Sequence, residues 1–241
     1  MAQPDAEILY AVCEATWPPA ETTVQDGWTI RNGAGGGKRV SAATAEVTGQ
    51  LPDIAKAEAA MIALGETPLF MLREGEGALD AALAERGYDL IDPVTLYISP
   101  TKTLTQNEAP RLTAFTLFPP LQIMEELWAE GGIGPARLAV MDRAKGPKTA
   151  ILGRQNDRAA GVAYVAIYEN TAMLHALEVT KTQRRQGVAI NIMRAAARWA
   201  DDNGADWFSV IVTDQNAAAN ALYSSLQMQR VGRYHYRIRG K

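Results

Sequence analysis

The side chains of this chain best suited to chemistry lie between positions 173 and 228, in the run MLHALEVTKTQRRQGVAINIMRAAARWADDNGADWFSVIVTDQNAAANALYSSLQM. Its turn Arg184-Arg185-Gln186-Gly187-Val188-Ala189 puts two guanidinium groups and a glycine before a segment in which Val188, Ile192, Ala195 and Trp199 recur at helical spacing. Gly204 is placed to end that helix. A helix that opens on a basic, glycine-containing turn offers unpaired backbone N–H groups, a positive dipole end and nearby cations to one anion, so a phosphate-bearing ligand is expected there. Ahead of the turn, Leu174, Leu177 and Val179 surround His175 in a strand. Its imidazole titrates in the range useful for moving a proton, although a histidine hydrogen-bonded within a core fits the same pattern. Strand alternation sets Met173, His175, Leu177 and Val179 on one face and Leu174, Ala176 and Glu178 on the other. His175 is therefore expected beside Leu177 and Val179, and Glu178 reaches the same cleft only through a twist or a bulge. Further on, Asn216 opens a short helix carrying Ala219 and Tyr223. A phenol at Tyr223 either packs between helix and sheet or, within hydrogen-bond reach of a reacting group, donates its proton.

The two motifs, in this order and on these elements, resemble those of the GNAT superfamily of acyl-CoA N-acyltransferases. Arg184-x-x-Gly187-x-Ala189 is similar to the turn that grips the pyrophosphate of acetyl-CoA in that family. The resemblance implies Arg184, Arg185, Gln186, Gly187, Val188 and Ala189 as donor-binding residues. Asn216-x-x-Ala219-x-x-Leu222-Tyr223 resembles the later family motif, in which the Asn contacts the pantetheine arm and the Tyr lies near the thioester sulfur. That assigns Asn216 and Ala219 to the donor and makes Tyr223 the candidate acid. By the same resemblance Leu177 and Val179 offer backbone groups to the pantetheine where their strand splays from its neighbour. The run His-Ala-Leu-x-Val at 175–179 also resembles arylalkylamine N-acetyltransferases, in which a histidine on this strand helps remove the amine proton through water. His175 is thus a candidate base, with Glu178 the alternative. One departure is Leu226-Gln227-Met228, where the family commonly has Leu-Gly-Phe.

The resemblance covers residues 104–241 and implies an α/β (α+β) fold, a mixed, mostly antiparallel sheet flanked by helices. It also implies direct transfer of an acetyl group from acetyl-CoA to a primary amine, without a covalent enzyme intermediate. The acceptor is a small-molecule amine or a protein amino group. A non-catalytic CoA-binding or protein-interaction module, or a purely structural α/β protein, stands as the alternative.

In the first half, residues 5–15 and 52–64 have helical periodicity, residues 68–72 read as a buried strand and 78–85 as a helix stopped at Gly87. Residues 88–90 and 94–98 read as extended. This strand, helix, Arg-Gly-Tyr, strand order resembles the end of a GNAT fold without its cofactor turn. Two tandem GNAT-like domains are therefore expected, a degenerate one at 1–103 and a catalytic one at 104–241, joined by the polar residues 99–103. The glycine-rich residues 32–38 fail the phosphate-loop pattern, since Asn32 stands where its first Gly belongs and Arg39 replaces the Ser/Thr that would bind magnesium. A flexible hairpin turn between strands at 28–31 and 39–41 accounts for them. Residues 121–130 look helical, and the glycines at 131–134 suit either a mobile loop bordering the acceptor or an ordinary helix stop. Residues 149–154 and 159–167 form two further strands turned by Asn156-Asp157.

Composition limits the alternatives. A chain of 241 residues with 47% hydrophobic side chains has enough apolar surface for one large or two small cores. No apolar run approaches bilayer length, and the acidic N-terminal residues lack a signal-peptide core, so a cytoplasmic protein without membrane partners is expected. One cysteine excludes an intrachain disulfide, and two histidines leave little for a metal site. The net charge of −3 divides into −8 for residues 1–103 and +5 for residues 104–241, so the positive half is the one carrying the phosphate turn. The alternating basic residues at 233–239 fit an antiparallel strand with one solvated face better than a nucleic-acid site.

Overall fold

A computed structural model describes residues 2–239. The first helix, α1 (Ala6–Thr16), begins where the Asp5 carboxylate accepts from the Ile8 N–H at 3.0 Å, and Trp17 ends it. A three-stranded sheet follows, β1 (Glu21–Gln25), β2 (Trp28–Asn32) and β3 (Thr44–Ala45). Residues 39–41, expected as a strand, instead lie in the four-residue helix α2 (Lys38–Ser41). The glycine loop before it is no free hairpin turn. A Cβ on Gly36 would stand 2.6 Å from a methyl of Val140, so only glycine lets the loop lie this close to the second half of the chain.

The remaining elements of the first half are α3 (Ile54–Ala63), β4 (Leu69–Arg73), α4 (Gly77–Glu85) and β5 (Tyr88–Pro100). Asp92-Pro93 made β5 read as two short strands. It is one strand of 13 residues, with Asp92 at φ 44° and an irregular register opposite Tyr234 and Tyr236. Residues 99–103, expected as a linker, form the end of β5 and the first residues of α5 (Thr101–Leu104), where Thr101 is fully buried and its N–H donates to the carbonyl of Asp206.

The second half runs β6 (Ala114–Leu117), α6 (Gln122–Glu130), α7 (Pro135–Arg143), β7 (Lys148–Gln155), β8 (Arg158–Tyr168), β9 (Thr171–Val179), α8 (Val188–Asp202), β10 (Trp207–Thr213), α9 (Ala217–Ser225) and β11 (Gln229–Arg239). One eight-stranded sheet spans both halves in the order β4-β11-β5-β10-β9-β8-β7-β6. Its pairs are antiparallel except β9 with β10. The closing strand of each half is exchanged. β5 pairs with β10, β11 pairs with β4, and β5 and β11 pair with each other. Asp80 of α4 fastens the exchanged β11, accepting from Arg237 Nε and lying 2.8 Å from His235 Nε2.

Helix α8 packs on the sheet through Val188, Ile192, Met193, Ala196, Ala197 and Ala200. Gly153 of β7 makes room for it: a Cβ there would lie 2.7 Å from the end of Ile192. The first turn of α8 is thereby held at the level of the end of β9.

Candidate active site

Gly187, in the left-handed region at φ 84°, is the N-cap of α8, and Arg185 just before it is at φ 63°. Residues 184–187 are exposed. Among the described residues, no acceptor within the chain takes the backbone N–H groups of residues 187–190. Successive unpaired N–H groups at the positive end of a 15-residue helix, beside the exposed guanidinium groups of Arg184 and Arg185, suit a diphosphate. Arg184 also ties the turn to β9, its Nε donating to the Val179 carbonyl at 3.1 Å.

β9 and β10 pair only as far as Leu174 and Val210, yet β9 continues to Val179 and β10 to Thr213. The inner edges of residues 175–179 and 211–213 are therefore unpaired with each other, leaving a narrow gap between the two strands. Within this stretch β9 bulges. Ala176 is at φ 52°, and the register with β8 shifts between Tyr164↔His175 and Val162↔Glu178.

The extra residue corrects the expected alternation. Leu177 and Val179 join Leu174 in the core under α8, whereas Ala176 packs on the opposite side with Trp128 and Tyr164. His175, whose ring lies 5.0 Å from that of Trp17, is also on that opposite side, so it does not share a face with Leu177 and Val179. The bulge turns Glu178 to the same side, against Gly131, where a Cβ would stand 2.7 Å from Glu178 Cγ. Gly131 thus gives the carboxylate a place to lie, a requirement of close approach.

His175 is 4% exposed and both its ring nitrogens are engaged. The Thr16 hydroxyl has one proton and gives it to the Val12 carbonyl at 2.7 Å, so toward His175 Nε2, 2.8 Å away, it accepts. Nε2 therefore carries the ring proton, and the Nδ1 lone pair accepts from Arg39 Nη1 at 3.1 Å. Burial first, then the Arg39 charge, hold this imidazole well below its ordinary pKa. It is a neutral ring with no free lone pair. Glu178 differs: it is half-buried, and burial pushes its carboxyl up against the lowering effect of Arg184 and Arg137.

Tyr223 is 4% exposed, at a ring distance of 5.7 Å from Tyr97, and its hydroxyl has no hydrogen-bond partner among the described residues. Burial, reinforced by Tyr97, raises its pKa, so the phenol keeps its proton. Asn216 caps α9, its Oδ1 accepting from Ala219 N–H at 3.1 Å. That leaves its amide Nδ2 and one lone pair of Oδ1 for a ligand, and Ala219 packs against the core.

A cavity of about 280 Å³ opens at the bulge. It reaches from His175 and Ala176 on β9 to Thr213 on β10, and includes Trp17, Arg39 and Arg137. These last three were missed in the sequence because they come from three separate segments, and only the glycine-rich loop before Arg39 drew notice. Among the described residues no group of three His, Cys, Asp or Glu side chains could hold a metal, and no helix is long and apolar enough to cross a membrane.

Comparison with known proteins agrees with this geometry. Residues 121–227, from the start of α6 to the end of α9, match the model of the Acetyltransferase (GNAT) family. That match, with the relatives below, supports a GNAT superfamily N-acetyltransferase. An uncharacterized N-acetyltransferase of Bacillus subtilis (strain 168), YobR, is 22% identical over 98% of this chain and 99% of its own length. Among solved structures, a GCN5-related N-acetyltransferase from Kribbella flavida superposes with a TM-score of 0.75 at 16% identity, covering 100% of this chain and 97% of that one. A tandem GNAT protein from the clavulanic acid biosynthesis pathway, determined without AcCoA, gives a TM-score of 0.62 at 14% identity, covering 98% and 88%. The fold is thus that of GNAT proteins, and the family's chemistry is acyl transfer.

Proposed function

We propose that this protein is an acetyl-CoA-dependent N-acetyltransferase acting on a primary amine. The observation that carries the reading is the row of unpaired N–H groups at 187–190, set at one end of the β9/β10 gap whose other end meets the cavity at His175, Ala176 and Thr213. The diphosphate of the donor sits on the turn, with Arg184, Arg185 and Gln186 beside it and the backbone of Gly187, Val188 and Ala189 against it. The pantetheine runs along the free edge of Leu177 and Val179, near Asn216 and Ala219.

Attack of the amine nitrogen on the thioester carbonyl forms the C–N bond and breaks the C–S bond. The proton lost by the nitrogen goes to Glu178, directly or through water, and the sulfur takes one from the Tyr223 hydroxyl. Glu178 replaces His175 as the base, because the only lone pair of the imidazole is held by Arg39. His175 acts instead as a positioning residue. No group of the enzyme need become acylated. We also propose two tandem GNAT-like units, 1–103 and 104–241. Each has a penultimate strand followed by a helix (β4 and α4; β10 and α9) and ends in a strand lodged against the other unit, and the first lacks a donor turn.

The test is thiol release from acetyl-CoA against a panel of amines, together with melting temperature in acetyl-CoA. Amine-dependent release supports the enzyme; stabilisation by acetyl-CoA without release to any amine supports a non-catalytic CoA-binding module instead.

A further inference from the structure

The acidic excess of the first half suggests a cationic acceptor, but the cavity itself points the other way. Two guanidinium groups line it, Arg39 from α2 and Arg137 from α7. Among the described residues neither stands in an ion pair. The Nε of Arg39 is sealed from solvent, and the Tyr234 hydroxyl, which interacts with this guanidinium, is likewise without a partner in hydrogen-bond geometry. The one carboxylate lining the cavity, Asp92, is already paired with Lys38 at its rim. Glu178 is near enough to Arg137 to feel its charge, but makes no contact within ion-pair distance of it. A guanidinium that lines an open cavity with no carboxylate partner favours a charged acceptor there.

Arg39 is also held in place. The relay from the Val12 carbonyl through Thr16 and His175 ends on its Nη1, fixing the guanidinium before any ligand arrives. On the other side, the backbone at Gly37, with φ 98°, approaches the Arg137 guanidinium, where a Cβ would lie 3.4 Å from its Nε. Pre-positioned guanidinium forks match a planar carboxylate.

Resting on the N-acetyltransferase reading, we propose that the acceptor is a small amine that also carries a carboxylate, an amino acid or a close relative. Arg39 and Arg137 take the carboxylate, and the amine lies toward Glu178 and the β9/β10 gap. A free cavity of about 280 Å³ admits a molecule of amino-acid size.

The experiment compares the twenty standard α-amino acids with their carboxamides, which keep the size and remove the charge. Two readouts are taken on wild type, Arg39→Lys and Arg137→Ala: kcat/KM by thiol release, and thermal stabilisation by each probe with free CoA present. The expected result is that the best acceptor is an acid favoured over its amide by about 30-fold, ~2 kcal/mol. Either variant should reduce that ratio toward one through KM while leaving acetyl-CoA affinity unchanged. Arg137→Ala, at a half-buried position, guards against misfolding of Arg39→Lys. If no transfer occurs but acids still stabilise the wild type and not the variants, the carboxylate site stands and the transferase reading falls. Amides that equal or exceed the acids, acids that neither react nor stabilise, or a ratio preserved in both variants would overturn the inference.

Discussion

Replacing Tyr223 by Phe separates chemistry from architecture unusually well here. The hydroxyl has no partner among the described residues, so its removal breaks no hydrogen bond there, while the ring keeps its contacts in the core under α8 and its tilted contact with Tyr97. Deleting a hydroxyl that bonds no protein group is close to neutral, within about 0.5 kcal/mol, which for a chain of this length moves the melting temperature by no more than about 2 °C. If the phenol protonates the departing thiolate, kcat should fall about 10²-fold or more, ~2.7 kcal/mol of barrier. The phenol is raised above its ordinary pKa by burial, so it stays protonated and the ratio of wild-type to variant kcat should be flat from about pH 6 to pH 9. The assays are steady-state thiol release across that range, calorimetric titration with acetyl-CoA and a melting curve. A kcat within threefold of wild type would remove Tyr223 from the mechanism. A loss of activity accompanied by a large drop in melting temperature would show that the residue acts through packing.

Three further perturbations test other parts of the structure. Glu178→Gln should remove an ionisation from the acid side of the kcat/KM profile, which in the wild type lies above the ordinary carboxylate range, whereas His175→Gln should keep that ionisation. Because the carboxyl is raised in the folded state, its contribution to stability declines as pH rises through that value, and Glu178→Gln should abolish the decline in a pH series of melting temperatures. Asp80 is held below its ordinary value by hydrogen bonding from Arg237, against burial and with help from His235. It therefore stabilises the exchanged β11 above about pH 4 and loses this as pH falls through its folded value. Asp80→Asn should cost about 1–2 kcal/mol near neutrality and less in acid, read by urea unfolding. Gly153→Ala should force Ile192 and the start of α8 away from the sheet, costing about 1–3 kcal/mol and weakening acetyl-CoA binding. Unchanged stability and affinity would show that Ile192 simply rotates aside.

The turn and helix cap proposed for the donor are legible in the sequence because they are local. Arg184 to Ala189 are contiguous, they precede a strongly amphipathic run, and Asn216 is a helix cap within hydrogen-bond range of the residue three places on. The acceptor half was not legible. Period-two counting along β9 fails at Ala176, where one inserted residue reverses the sides of Leu177 and Glu178, and nothing in His-Ala-Leu-Glu-Val announces a bulge. The glycines at 33–37 look like a hairpin in isolation, and only their packing against α7 explains them. Strand exchange is equally hidden, since β5 and β11 have the same alternating character whichever half they complete. The short α2 was missed because Val40 favours a strand locally, while burial of that side chain against Trp128 and Val140 decides otherwise.

Binding of acetyl-CoA by calorimetry, in wild type and in Gly187→Glu, addresses the central claim most directly. A glutamate there would place a carboxylate among the N–H groups of the turn and strain a left-handed backbone position, without entering the core. The wild type should bind acetyl-CoA, and the variant should lose at least about 100-fold in affinity, ~2.7 kcal/mol, while melting within a few degrees of it. Equal affinity in the two proteins, or a wild type that does not bind, would contradict the assignment of this turn to the donor.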